Sequence, residues 1–359
     1  MELISAHLEA TDEEAALEAL HTAGATDGLP VVIPTAARVE RLVLATGLDP
    51  DMVLGQVGPN LGAATVEKVA VNAVMAGCTA DHIPVVIAAV RAICQPAFDC
   101  TEMQSTTHCL APLMIVNGPA RLAAGVASGW GALGPGHRAN ASIGRALRLV
   151  MMNIGGARPG ISDMALLGHP GKFTYCLAED EENSPFPPLH TSLGHSPDAS
   201  AVTIVGVEAP HSVMSVSDAD DPTSPDRLLA SLAAVIANVG SNNAHFRRGA
   251  VVVVLNPDHA GVLAGAGYDR AKMQEALHAR AVNPKGVLRS LNPGFSGPSG
   301  DDDDLIPAVR DPADILVIMA GGGGLYSMVM PSWGAGPHGN PWVTEPIDLD
   351  QACEIPIRR

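Results

Sequence analysis

Three stretches of this chain concentrate side chains able to do chemistry. Cys94–Cys109, CQPAFDCTEMQSTTHC, places three thiols, two acids and one histidine in sixteen residues. Its Cys94-x5-Cys100-x8-Cys109 spacing lacks the CxxC pairs of zinc knuckles and of thioredoxin-type redox sites. Cys94 and Cys100 therefore read as small hydrophobic residues. His108-Cys109, just ahead of an apolar run, stays open between core packing and catalysis. The second stretch centres on Cys78, between two helical patterns. A helix beginning near His82 would place its positive end beside that thiol and favour thiolate, whereas a buried loop cysteine would be inert. The third is Pro170–Pro185, PGKFTYCLAEDEENSP, with Lys172, Tyr175, Cys176 and a run of acids from Glu179 to Glu182. Asp180 and at least one glutamate of that run are expected to face solvent. Cys176 with Glu179 and a histidine would suit zinc or iron. The same residues would equally pair a thiolate nucleophile with a carboxylate acid or base.

Two further segments suit an anion. GPGHRAN (Gly134–Asn140) sets His137, Arg138 and Asn140 at the start of a helix, where free N–H groups favour carboxylate or phosphate. MAGGGGLYS places Gly322, Gly323 and Ser327 after an apolar strand, the end at which open α/β sheets bind ligands. Neither matches a dinucleotide or P-loop fingerprint in its required context. A glycine run also serves as a tight turn against a neighbouring backbone.

Elements to position these groups are legible. Thr35–Gly47, Ala63–Gly77, His82–Ile93, Asn140–Ile154, Pro225–Val239 and Tyr268–Ala281 carry helical periodicity, several with a hydroxyl at the start and glycine at the stop. Leu29–Pro34, Leu113–Val116, Ala201–Val207, Ala250–Asn256 and Asp314–Ala320 read as buried strands. Ala157–Pro197 has little periodicity, which in a compact protein points to function or a linker. The expected class is α/β in two lobes. Residues 1–197 would form a helix-rich lobe with short strands and most candidate residues. Residues 198–359 would form a mostly parallel sheet flanked by helices.

Bulk properties narrow the partners. At 359 residues the chain exceeds a single ordinary core. Hydrophobic residues make up 47% and aromatics 3%, so the core is aliphatic and few rings remain for stacking on bases. The net charge of −17 opposes nucleic acid and anionic membranes, while still allowing a local arginine pocket for a small anion. Nucleic acid is excluded as a partner. The acidic start lacks the pattern of a signal peptide, and no apolar run reaches the ~18 residues of a membrane span. Six cysteines without a leader then point to reduced thiols and the cytoplasm. An aliphatic composition with apolar helices favours a homo-oligomer.

ATVEKVAVNAVMAGC (Ala64–Cys78), GPGHRANASIGRALRL (Gly134–Leu149), NIGGARPG (Asn153–Gly160), HPGKFTYCLAEDEENSP (His169–Pro185) and MAGGGGLYS together resemble the large domain of the UGSC family of (seleno)proteins. The similarity spans about Gly28 to Ile347. The family's name-giving Cys/Sec-Gly-Ser-Cys motif does not occur here. The resemblance implies thiol-linked chemistry in general terms, and it places Cys78 and Cys176, but not Cys94, Cys100 or Cys353, in family-like segments.

The leading expectation is an enzyme that uses thiol chemistry (redox, lyase or transfer) on a small anionic metabolite. Cys176 or Cys78 would be the thiol and His108 and Glu179 the acid and base. Arg138, His137, Asn140, Lys172, Gly322, Gly323 and Ser327 would hold the substrate. One alternative is a zinc or iron enzyme with Cys176, His108 and Glu179 as ligands. The other is a non-catalytic carrier or scaffold for a separate thiol-redox partner protein.

Overall fold

A computed structural model describes residues 3–295 and 300–349; Cys353 lies outside the described residues. In chain order the elements are α1 (Glu13–Thr22), α2 (Ala36–Thr46), β1 (Val53–Val57), β2 (Gly62–Thr65), α3 (Val66–Met75), α4 (Ile83–Cys94), α5 (Cys100–Ser105), β3 (Ala111–Asn117), α6 (Pro119–Ala123), α7 (Arg138–Asn153), β4 (Cys176–Ala178) and α8 (Leu189–Ser192). They continue as β5 (Ala201–Val207), β6 (His211–Met214), α9 (Ser224–Ile236), α10 (Asn242–Phe246), β7 (Val251–Leu255), α11 (Pro257–Gly265), α12 (Arg270–Arg280), β8 (Val282–Pro284), α13 (Lys285–Leu291), β9 (Leu305–Pro307), β10 (Ile315–Met319), β11 (Tyr326–Met330) and β12 (Val343–Pro346).

Two four-stranded sheets organise the molecule, one in the order β12-β5-β3-β4 and the other β10-β7-β11-β6. Side chains alternate across a strand, and the alternation sorts the core into three parts. Leu113 and Ile115 of β3, Leu177 of β4 and Val205 of β5 meet Val252, Val254, Leu316 and Ile318 of the second sheet. Met114, Val116, Cys176 and Ile204 face the opposite way, against α2, α3, α4 and α7. Val251, Val253, Val317 and Met319 face α9, α11 and α12. The protein is a four-layer α/β/β/α sandwich whose sheets pack face to face. The apolar α4 is thereby explained as a core helix, buried at Ile83, Val85, Val86, Ala89 and Val90. Among the described residues no single helix is long and apolar enough to cross a membrane.

The α/β class stands, with three corrections of detail. The second sheet is mixed, not mostly parallel: β10 and β7 run parallel, but β11 is antiparallel to both β7 and β6. The sheets do not divide at residue 197, because β5 and β12 from the second half complete the sheet begun by β3 and β4. Leu29–Pro34 forms no strand; it crosses the surface extended, touching α3 through the Val32 N–H on the Met75 carbonyl at 3.1 Å.

Candidate functional site

The polar residues singled out in the sequence separate to different faces of the first sheet. Cys176 and Cys78 lie in the core between that sheet and the helices. Cys78 donates its thiol hydrogen to the Ser142 carbonyl at 3.4 Å. Burial pushes the Cys78 thiol up to about 12 and raises Cys176 as well, against a slight pull down on Cys78 by Arg138. Both behave as small hydrophobic residues, which removes the geometric basis for the thiolate assigned to either. Cys100 is likewise buried, with its thiol pushed up to about 12.

Glu179 sits at the end of the sheet where β4 leaves it. Its carboxylate is fully buried and accepts from Asn117 Nδ2 at 2.6 Å, the Leu189 N–H at 2.7 Å and Arg270 Nη2 at 3.1 Å. Burial raises its carboxyl above the ordinary range even though Arg270 opposes the shift. Arg270 also caps the Val317 carbonyl of edge strand β10 at 2.9 Å, and the Asp180 N–H reaches Met319 at 2.9 Å. Asp180, expected to face solvent, is buried instead. Through Arg270 and the Asp180 N–H this constellation joins the two sheets at their edges.

His108 lies at the opposite end of the sheet, ahead of β3. Its Nε2 donates to Glu208 at 2.9 Å and its Nδ1 accepts from Asn242 at 3.0 Å. Both ring nitrogens are therefore engaged, and His108 ties the loop after β5 to the first residue of α10. Cys176, His108 and Glu179 do not converge, and among the described residues no three His, Cys, Asp or Glu side chains are placed to hold a metal ion. The zinc or iron set drawn from the sequence does not fit this geometry.

The anion-binding expectations also resolve into structure. Arg138 Nη2 donates to the Gly77 carbonyl at 3.0 Å, and His137 Nε2 donates to the Trp130 carbonyl at 2.9 Å. Asn140 clamps the preceding loop, accepting from the Ala127 N–H at 2.8 Å and donating to Ala127 and Ala132 at 2.9 and 3.0 Å. A Cβ at Gly322 would meet the Trp130 ring, and at Gly323 it would crowd the Asp258 carboxylate. Ser327 is buried, accepting from the Asn256 N–H at 3.1 Å and donating to His259 Nδ1 at 2.7 Å. The His259 Nε2–H is spent on the Ser215 carbonyl at 3.0 Å, so this serine–histidine pair is sealed in the core.

Lys172 is different. It lies in the turn after His169, on the wall of a cavity of about 510 Å³ together with Arg148, Met152, Asp163, His169 and Phe173. Asp163, 3% exposed, receives Arg148 Nη2 on one oxygen and Lys172 Nζ on the other, each at 2.8 Å. Burial alone would raise the Asp163 carboxyl, but the two cations outweigh it and hold it below the usual carboxylate range. Burial lowers the Lys172 ammonium, with Asp163 opposing. Arg148 is further fixed by Gln104 Oε1 at 3.0 Å. His169 accepts the Gly171 N–H on Nδ1 at 3.1 Å. Its Nε2 is buried without a hydrogen-bond partner, and burial lowers its basicity.

The loop carrying these groups is pinned to the segment before β3 by the Met164 N–H on Gln104 and the Leu166 N–H on Thr107, at 3.1 and 3.0 Å. The half-buried Cys109 lies in that same segment, two residues ahead of β3. Sequence reasoning named Lys172 and His108 but missed Arg148, Asp163 and His169 as site residues. Arg148 did carry a signal, as a charge within the apolar pattern of α7. Its partner Asp163 lies in the non-periodic segment, where no spacing announces a contact.

Comparison with protein-family models, with curated proteins and with solved structures finds no match to this chain.

Proposed function

We propose that this protein is an enzyme acting on a small anionic molecule bound in the cavity of Arg148, Asp163, His169 and Lys172. The observation that carries the reading is the shared carboxylate. Two cations, Arg148 and Lys172, share the single carboxylate of Asp163 on the cavity wall. The other acid of the lining, Asp27, is neutralised by a bidentate contact with Arg145 at 2.7 Å. A carboxylate, phosphate or sulfonate entering this space would complete the charge balance. Lys172, whose proton is loosened by burial, would then move a proton at Nζ, and His169 would supply a second proton-transfer group. Cys109, half-buried in the segment to which the cavity loop is pinned, would take the role that the sequence assigned to Cys176 or Cys78. The resemblance to the UGSC family supports thiol involvement in the same general sense.

Thermal unfolding against a panel of small carboxylates, phosphates and sulfonates, with ammonium compounds as controls, tests this reading. At least one anion class should raise Tm for the native chain and lose that effect in Lys172→Met, with Lys172→Arg retaining binding. Stabilisation by cations alone, or by anions equally in Lys172→Met, contradicts it.

A second reading, a carrier that docks a partner protein, is favoured by one observation. Ile161, Leu166 and Leu167, beside the same cavity, are 80%, 83% and 92% exposed. Such clustering marks interaction surfaces on many proteins. Mass measurement in solution distinguishes self-association through this rim from a monomer that needs a different partner.

A further inference from the structure

A second cavity, of about 480 Å³, lies behind the first, bounded by the N-terminal segment and by α1, α2 and α3. The two share a wall. Asp27, Met152 and Pro159 face the first cavity, and their near neighbours Ala25, Asn153 and Arg158 face the second. The volume falls within the ordinary range for small-molecule sites. Its floor is aliphatic, with Leu20, Ile33, Val39, Val71 and Met75.

The polar groups converge at one place. Arg158 Nη1 donates to the Gly24 carbonyl, and Asn153 Nδ2 donates to the next carbonyl, Ala25, at 2.8 Å. Asn153 Nδ2 also reaches Asn72 Oδ1 at 2.7 Å, while Asn153 Oδ1 is buried and accepts from nothing. Such an orphaned acceptor costs about 1–3 kcal/mol unless something donates to it. Arg158 has no carboxylate partner among the described residues. The one acid of the lining, Glu67, is held by backbone N–H groups. Its two oxygens accept the Ile4 and Ser5 N–H groups at 2.9 and 2.8 Å, which ties the N-terminal segment to α3 along the cavity wall.

We infer that this cavity binds a small carboxylic acid with an aliphatic body and a hydroxyl or amino group beside the carboxylate. The carboxylate pairs with Arg158, the adjacent donor satisfies Asn153 Oδ1, and the chain lies on Val39, Val71 and Met75. The assignment is independent of the reaction at Lys172.

Isothermal titration of the full chain with 2-hydroxyhexanoate, hexanoate, 2-hydroxyhexyl phosphate and hexylamine tests it. The expected order is 2-hydroxyhexanoate above hexanoate, with no binding of hexylamine. Arg158→Gln should weaken 2-hydroxyhexanoate at least about tenfold, and Lys172→Met should leave it unchanged. Because Arg158 also braces Gly24, Val71→Phe supplies a second variant that fills the aliphatic floor without touching the polar end, and it too should lose binding. Failure of every probe overturns the inference. So does binding that survives both Arg158→Gln and Val71→Phe, or that is abolished by Lys172→Met and so belongs to the first cavity. Tighter binding of the phosphate than of the hydroxy acid overturns the carboxylate assignment.

Discussion

Asp163 is the residue on which the candidate site turns. Removing its charge while keeping its shape, as in Asp163→Asn, leaves Arg148 and Lys172 buried without a counter-charge. Breaking a buried pair from one side costs about 3–5 kcal/mol, so this variant is expected to unfold well below the native chain. The effect has a definite pH dependence. The folded pKa of Asp163 lies below its unfolded value, so its contribution is complete above about pH 4 and is lost as pH falls through the lowered value. Denaturant titrations of both proteins should converge in acid; a constant difference down to pH 2 would contradict the ion-pair account. At this scale the sequence revealed residue types but not environments. Cys176 and Cys109 are equally cysteine on paper. One faces the helix layer from β4 and the other lies in a half-open loop, a distinction that only the fold makes.

At the scale of elements, legibility followed local signals. Thr65 was readable as the start of α3 and does accept the Lys68 N–H at 3.3 Å, while Gly77 ends that turn with φ of 86°. Ala201–Val207 was bounded as a strand and is one, buried throughout. Leu29–Pro34 is as aliphatic at its centre but carries Pro30 and Pro34 and pairs with no neighbouring strand, and β6, β11 and β12 carry no local signal because their pairing partners are distant in sequence. Strand formation depends on such partners more than on propensity. Gly144, inside α7, shows packing overriding helix preference. Alanine there would ordinarily gain about 1 kcal/mol. The new Cβ would instead strike Thr174 and lie 2.7 Å from the Tyr175 nitrogen, where the segment leading from Lys172 into β4 crosses the helix. Gly144→Ala is therefore predicted to destabilise by about 1–3 kcal/mol, read from the chemical denaturation midpoint. A stabilised variant would show that this crossing is loose.

The whole molecule is a pair of sheets clasped by helices, and its two sheet ends do different work. At one end Glu179 and Arg270 tie edge strand to edge strand. In a double-mutant cycle of Glu179→Gln and Arg270→Met, the two changes should couple by about 0.5–3 kcal/mol; strict additivity would mean that the joint carries no energy of its own. Both chain halves interleave in the first sheet, although composition suggests a boundary near residue 197. The non-periodic segment there is a connection that enters the sheet, and composition does not distinguish that from a linker. At the other end, His108, Cys109, Lys172 and His169 gather beside the cavity, and the account holds that the reactive chemistry is here and not at the buried cysteines. Alkylation of the native chain with iodoacetamide, followed cysteine by cysteine through peptide mass spectrometry, tests that most directly. Cys109 should be modified before Cys78, Cys100 and Cys176, by at least about tenfold in rate. Modification of Cys78 or Cys176 as fast as Cys109 would return the reactive thiol to the helix layer and contradict the account.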